Sequence, residues 1–133
     1  MNTKPIWRLW VARVLIAVVI VWNLQCALSF FLDPQLFAPA FELSGASGTA
    51  AIRGTAVLFM MWNIPYLVAL WDPRKNRLSL WEALVMQLVG LVGESLILFL
   101  LPAGHFLLGA SILRFIAFDA AGLAILVGAR LLS

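Results

Sequence analysis

Residues 80–102 read LWEALVMQLVGLVGESLILFLLP, a nearly unbroken apolar run with one carboxylate, Glu94, deep inside it. About 20 apolar residues are enough for an α-helix to cross the hydrocarbon core of a membrane, so this stretch predicts a membrane-spanning helix. A carboxylate at the centre of a bilayer costs roughly 2.5 to 3.5 kcal/mol on insertion scales. Glu94 is therefore expected to face protein and to have a partner or a proton.

One stripe of this helix is expected to form the inside of a helix bundle. Gln87, Gly90 and Glu94 are spaced i, i+3 and i+7, which places them on the same face. Gly90 and Gly93 also lack side chains that would hold a neighbouring helix away. Polar groups and glycines on one face indicate a helix–helix contact.

The rest of the chain repeats the pattern of long apolar runs. Of its 133 residues, 64% are hydrophobic and 11% are charged, and its mean hydropathy is +1.03. A soluble domain of this length cannot bury so much apolar surface, and runs without alternation favour helices over β-strands. We predict an all-α membrane protein: a single domain, residues 1–133, forming an antiparallel bundle of four transmembrane helices at about 6–32, 49–71, 78–101 and 106–132.

Basic residues predict the orientation of these helices. Lys4, Arg8 and Arg13 precede or open the first span, the turn 74–77 holds three cations, and Arg130 ends the fourth span, whereas the connection 33–48 has none. The positive-inside rule then predicts an inner-membrane protein with both termini in the cytoplasm. The net charge of +3 reflects this topology and gives no support for a nucleic-acid partner.

Two connections have further expected features. The connection 33–48 is apolar around residues 35–41, so it is expected to lie on the membrane surface or to fold over the mouth of the bundle. Ser79, followed by Glu82 three residues later, is expected to cap the third span.

Seven of the polar or charged residues in the predicted spans are candidates for one buried cluster. At about 1.5 Å per residue, Arg53 lies near the outer interface, Glu94 and Arg114 lie roughly 10 to 15 Å deep, and the others lie closer to the midplane or toward a span end. Antiparallel helices can thus bring Arg53, Glu94 and Arg114 to similar heights. The candidate polar cluster in the outer half consists of Asn23, Arg53, Asn63, Gln87, Glu94, Arg114 and Asp119.

This cluster has two interpretations. In the first, ion pairs and hydrogen bonds between helices fix the packing. In the second, the cluster lines a cavity whose guanidinium groups hold an anionic or carbonyl-bearing molecule, with Glu94 able to take up a proton. Arg114 and Asp119 are about 140° apart around their helix, so Asp119 is as well placed for Asn63 on another helix.

The remaining candidates indicate packing rather than chemistry. His105 is expected to be a solvated loop residue, Cys26 a packed apolar residue, and Trp22 and Trp62 packing or interface residues. Neither a set of metal ligands nor a nucleophile with a base is visible, so we predict no metal and no cofactor, and an enzyme is the least favoured class.

The layout resembles the DoxX-like group of small four-helix membrane proteins. The resemblance rests on Arg8 and Arg13 at the start, Asp33-Pro34 after the first span, Arg53-Gly54 in the second span and residues 90–94, GLVGE, in the third. It implies the four-helix fold and, for some members, a link to quinone or sulfur redox partners.

Three functions follow as hypotheses. The first is a non-catalytic membrane protein that binds a lipid-like or anionic small molecule, or a partner complex, through the polar cluster. Such a protein is compatible with a homo-oligomer or with an accessory subunit of a larger membrane complex. The second is a small proton-coupled carrier that acts as an oligomer, with Glu94 as the proton site. The third is a quinone-linked redox accessory subunit.

Overall fold

A computed structural model describes residues 5–133; Lys4 lies outside the described residues. Four helices in this range are each long and apolar enough to cross a membrane, which confirms the predicted all-helical bundle. A short helix and a 3₁₀ turn lie between the first two long helices. The helices are α1 (Ile6–Leu32), α2 (Pro34–Phe37), the 3₁₀ helix (Ala38–Phe41), α3 (Gly45–Trp71), α4 (Arg77–Leu100) and α5 (Phe106–Leu132).

The four long helices form a ring. Helix α1 packs against α3 and α5, and α4 packs against the same two helices from the other side. The Arg8 side chain donates to the carbonyl of Leu131 (3.1 Å), and Arg13 donates to that of Trp71 (2.6 Å). The beginning of α1 therefore lies beside the ends of α3 and α5. We call this the terminal end of the bundle, and the opposite end, with α2 and the 3₁₀ helix, the loop end.

Many alanines lie in the interior beside a few large buried side chains such as Tyr66 and Ile16, and many large apolar side chains cover the outside. Phe99 and Phe106 are each 85% exposed, the reverse of what a water-soluble surface favours. Small residues let helices approach closely, which is how helices pack where hydrocarbon gives no hydrophobic drive for association. Six alanines have no exposed surface: Ala12, Ala27, Ala56, Ala69, Ala83 and Ala129.

Two helices begin earlier than the sequence pattern predicted. Helix α3 begins at Gly45, whose φ of +65° is accessible to glycine without strain, instead of at residue 49. The prediction that Ser79 caps the third long helix is wrong, because α4 begins at Arg77. The side chain of Asn76 instead donates to the carbonyl of Val68 (2.8 Å), which ties the start of α4 to the last turns of α3.

The connection at the loop end folds onto the bundle, one of the two arrangements expected for it. Ser111 on α5 donates to the carbonyl of Ala40 (2.6 Å). Glu42 accepts a hydrogen bond from the backbone N–H of Leu108 (3.3 Å), and its other oxygen lies 2.5 Å from Nδ1 of His105. His105 is therefore paired with a carboxylate while remaining partly exposed, and the connection is fastened to the start of α5.

Candidate functional site

A chain of side-chain hydrogen bonds crosses the middle of the bundle from α3 through α4 to α5. Trp62 Nε1 donates to the hydroxyl of Tyr66 (2.8 Å), and this hydroxyl lies 2.6 Å from Oε1 of Gln87 and 3.2 Å from the carbonyl of Ala83. The Nε2 group of Gln87 donates to Oδ1 of Asp119 (2.9 Å). Tyr66 and Gln87 are almost fully buried. The chain thus fixes one carboxylate, Asp119, at the contact between α4 and α5.

Two glycines make room for this chain. A Cβ atom on Gly90 would lie 2.5 Å from Oδ2 of Asp119, and a Cβ atom on Gly122 would lie 2.6 Å from Nε2 of Gln87. Both distances are shorter than real Cβ atoms allow. The Asp119 side chain is short and the Gln87 side chain is held by hydrogen bonds at both ends of its amide, so neither can move aside easily. Each helix therefore offers a glycine to the polar side chain of the other, and the two glycines define where Gln87 and Asp119 can lie.

Next to this contact is a cavity of about 130 Å³. This volume corresponds to about four water molecules at about 30 Å³ each. Five aromatic rings and four polar side chains surround it, together with one glycine and one cysteine. We call it the acidic cavity; its lining residues are Trp22, Asn23, Cys26, Phe59, Trp62, Gln87, Gly90, Glu94, Phe115, Phe118 and Asp119.

The acidic cavity contains two carboxyl groups, Glu94 and Asp119, and among the described residues neither arginine nor lysine lines it. Two negative charges that face one space lined largely by apolar rings repel each other more than they would in bulk water. A proton or a bound cation relieves this repulsion. The aromatic rings favour the same ligand, because the face of a ring attracts positive charge.

The first interpretation of the cluster, in which ion pairs fix the packing, does not hold for its two arginines. Arg53 and Arg114 are both exposed, and neither forms an ion pair with Glu94 or Asp119. Arg53 donates through Nε to the carbonyl of Phe31 (3.3 Å), at the end of α1. A long, flexible arginine near a helix end can reach polar surroundings, which costs less than burial of its charge. The residues that the structure brings together are the acidic and amide ones.

The two predicted asparagines lie at different places. Asn23 lines the acidic cavity, and its Nδ2 group has no hydrogen-bond partner among the described residues. Asn63 is completely buried but outside the cavity lining. Its Nδ2 group donates to the carbonyl of Phe59 one turn earlier (2.7 Å). Among the described residues Asn63 makes no hydrogen bond to Asp119, and Gln87 is the amide that does.

Sequence reasoning missed Tyr66 and Gly122. Tyr66 is the single tyrosine of the chain and lies inside an apolar helix, where a buried hydroxyl needs a partner. That requirement was a usable signal. Gly122 had none, because its role depends on which side chain of α4 lies opposite. Trp22 and Trp62, which the sequence predicts as packing or interface residues, both line the acidic cavity.

A cluster of phenylalanines lies between the acidic cavity and the loop end. The rings of Phe59 and Phe115 line the cavity and have centroids 5.6 Å apart. Phe30 packs against both, and Phe41 of the 3₁₀ helix packs against Phe30 and Phe115 at 5.8 Å. The cavity is thus separated from the loop end by several layers of aromatic rings.

Comparisons with family models, with curated proteins and with solved structures found no match to this chain. The resemblance to the DoxX-like group therefore stays a prediction. Among residues 5–133, no three His, Cys, Asp or Glu side chains come together in a way that could hold a metal ion. In the acidic cavity two carboxyl groups, two amides and five aromatic rings converge on one space.

Proposed function

We propose that this chain is a membrane protein that binds a compact organic cation, such as a quaternary or primary ammonium group, in the acidic cavity. The observation that carries the proposal is that Glu94 and Asp119 face one cavity together with five aromatic rings. Carboxylates supply the opposite charge, and aromatic faces replace the water that the cation loses. The role proposed is binding, without a covalent step.

The sign of the ligand's charge differs from the expectation based on the arginines. An anionic ligand would need Arg53 or Arg114 in the cavity, and both arginines are exposed elsewhere. Two carboxylates would repel an anion. The geometry therefore favours a cation or a hydrogen-bond donor over an anionic molecule, while the apolar lining suits a ligand with methyl or methylene groups.

A direct test uses tetramethylammonium as the probe, with isothermal titration calorimetry on the protein in detergent micelles. Wild type is expected to bind the cation and to show no binding of two comparison compounds, neutral tert-butanol and anionic acetate. Glu94→Gln and Asp119→Asn should each weaken binding by about tenfold or more, as expected when a charge partner worth about 1.4 kcal/mol is removed. The matched control is Glu82→Gln, an exposed glutamate of α4 outside the cavity lining.

Two results would contradict the proposal. One is binding of acetate but not of tetramethylammonium, which would require a positive site. The other is equal loss of binding in Glu82→Gln and Glu94→Gln, which would show that a distributed negative charge, and no particular cavity, attracts the cation.

A second candidate is a proton-coupled carrier that acts as an oligomer. The observation that favours it is again the pair of carboxyl groups, because a proton and a cation can compensate them in turn. Uptake of radiolabelled tetramethylammonium into reconstituted vesicles should then depend on a pH gradient, and Glu94→Gln should abolish uptake without loss of expression. Uptake that is insensitive to the gradient, or unchanged in Glu94→Gln, rules the carrier out.

We also propose that the chain lies in an inner membrane with its termini in the cytoplasm. Arg8, Arg13 and Arg130 are all at the terminal end, as is the turn 74–77, whereas the loop end has no basic residue in the connection 33–44. A fluorescent protein that matures only in the cytoplasm, fused after Ser133, should fluoresce. A dark, fully expressed fusion would contradict this orientation.

A further inference from the structure

A second, separate space lies on the outer surface of the bundle near the terminal end. It is a groove of about 480 Å³ between α4 and α5, within the range of about 300 to 1,000 Å³ typical of ligand sites. Its walls are almost entirely apolar, including Leu84, Leu88, Leu123 and Val127, and one cation, Arg130, lies among them. A long apolar groove with a single cation at one place fits a molecule that has a long apolar part and one anionic group.

The guanidinium group of Arg130 lies over an aromatic ring and has no hydrogen-bond acceptor among the described residues. Its central carbon lies 5.5 Å from the centre of the Trp81 ring, which also lines the groove. Among residues 5–133 no hydrogen bond from this guanidinium is found, and its Nε is buried without a partner. An ordered guanidinium without an acceptor is suited to a planar, bidentate contact with a phosphate.

Arg13 offers the contrast. It also lies near the terminal end, at 5.1 Å from the ring of Trp10, and it also borders an apolar surface space. Its guanidinium, however, already donates to the carbonyl of Trp71 at 2.6 Å. Both guanidinium groups lie over a tryptophan and both have a buried Nε without a partner, so the difference between them is the hydrogen bond that a terminal nitrogen of Arg13 makes.

We propose that the groove between α4 and α5 binds one anionic glycerophospholipid, with the phosphate on Arg130 and an acyl chain against Leu88, Leu123 and Val127. The charge argument selects an anionic lipid over a zwitterionic one. Arg8 is bonded to the carbonyl of Leu131, so a second cation lies at the end of the same helix and would repel the ammonium of a zwitterionic headgroup. Basic pockets between membrane helices bind anionic headgroups for the same reason.

The test is a competition between two lipids with identical chains. Delipidated protein is incubated with equal amounts of phosphatidylglycerol and phosphatidylcholine, and the lipid that stays bound is identified by native mass spectrometry. Wild type should retain one phosphatidylglycerol in preference. Arg130→Gln should lower that preference by about fivefold, the factor expected for one cation near a headgroup, and Arg13→Gln should leave it unchanged.

A third variant tests the apolar part and does not depend on the arginine. Val127→Phe fills the groove while Arg130 stays, so retention of either lipid should fall. Equal retention of the two lipids by wild type would overturn the proposal, as would an Arg130→Gln variant or a Val127→Phe variant that retains phosphatidylglycerol like wild type. Because the acidic cavity is elsewhere, tetramethylammonium binding should be the same in all three variants, which separates this proposal from the one above.

Discussion

The contact between α1 and α3 and the contact between α4 and α5 are built on opposite principles. Ala12 and Ile16 of α1 and Ala69 of α3 are completely buried in an apolar interior. Between α4 and α5, by contrast, Gly90 and Gly122 receive the polar side chains of the partner helix. The comparison teaches that glycines make the room for Gln87 and Asp119 between α4 and α5, so that one contact is packed with apolar side chains while the other shapes a site.

The largest effect is expected in the apolar contact. Ala69→Leu adds three carbon atoms where no space is left, so the free energy of unfolding should fall by about 3 kcal/mol, the upper end for overpacking. Titration of unfolding with sodium dodecyl sulfate measures it. The control is Val68→Leu, on the same helix but facing outward. Equal losses in both variants would show that the α1–α3 contact is no tighter than the lipid-facing surface.

Tyr66→Phe breaks the polar chain without changing its shape. It leaves Trp62 Nε1 and Gln87 Oε1 without their partner, and the free energy of unfolding should fall by about 2 kcal/mol, within the range for buried groups left unsatisfied. Ser95→Ala on α4 is the control, because its hydroxyl is exposed and bonds only to its own helix. If Tyr66→Phe is as stable as wild type, the hydrogen-bond chain contributes nothing to the fold.

Gly90→Ala tests whether the glycine positions the carboxylate. The new methyl group must displace Asp119, so affinity for tetramethylammonium should fall by about tenfold, or about 1.4 kcal/mol, with a smaller loss of stability. Gly93→Ala, three residues later, has no atom within 4 Å of its Cβ position and should bind like wild type. Loss of binding in both variants would point to a general effect of alanine on α4 and would contradict the positioning role.

The smallest effect is expected at the loop end, outside both contacts. The hydrogen bond with His105 is the main cause that holds the pKa of Glu42 below its usual value of 4.5, and the bond from Leu108 adds to it. A carboxyl whose pKa is lowered by folding stabilises the protein above its usual pKa, and this contribution is lost as the pH falls through the folded-state value. The melting temperature should therefore drop as the pH falls below the usual pKa of 4.5 and through the lower folded-state pKa.

Glu42→Gln should make this drop smaller without removing it. Asp72 also has a lowered pKa, caused mainly by the hydrogen bond from the backbone of Lys75 and further by that of Arg74, so part of the acid sensitivity remains. Glu82→Gln should leave the pH profile as it is. A Glu42→Gln profile identical to that of wild type would show that the contact with His105 does not fasten the connection.

The helices could be predicted because their signal is local. Long apolar runs in the sequence show which residues form each long helix. All four long helices begin and end within four residues of the predicted positions. The exceptions have physical reasons. The start of α3 depends on a backbone angle that only glycine adopts easily, and the start of α4 depends on a hydrogen bond between Asn76 and a distant carbonyl.

The candidate site could be predicted only in part. The stripe of Gln87, Gly90 and Glu94 does line the acidic cavity, because one helix face turns as a unit. The predicted positions of Arg53 and Arg114 were wrong because the depth of a residue in the membrane does not say which way its helix is rotated about its own axis. Asp119 faces the cavity, and a residue about 140° away around α5 must then face out, which is where Arg114 lies. The partner of each polar group depends on which helices lie side by side, and the spacing of residues along one helix does not predict that.

The most direct test of the acidic cavity is to locate a bound cation. Crystals of the wild-type protein soaked with tetramethylarsonium, a heavier analogue of tetramethylammonium, should give an anomalous difference peak between the carboxyl groups of Glu94 and Asp119. Crystals of Glu94→Gln should give a much weaker peak at that position. A peak at another place on the molecule, or an equal peak in both proteins, would contradict the account.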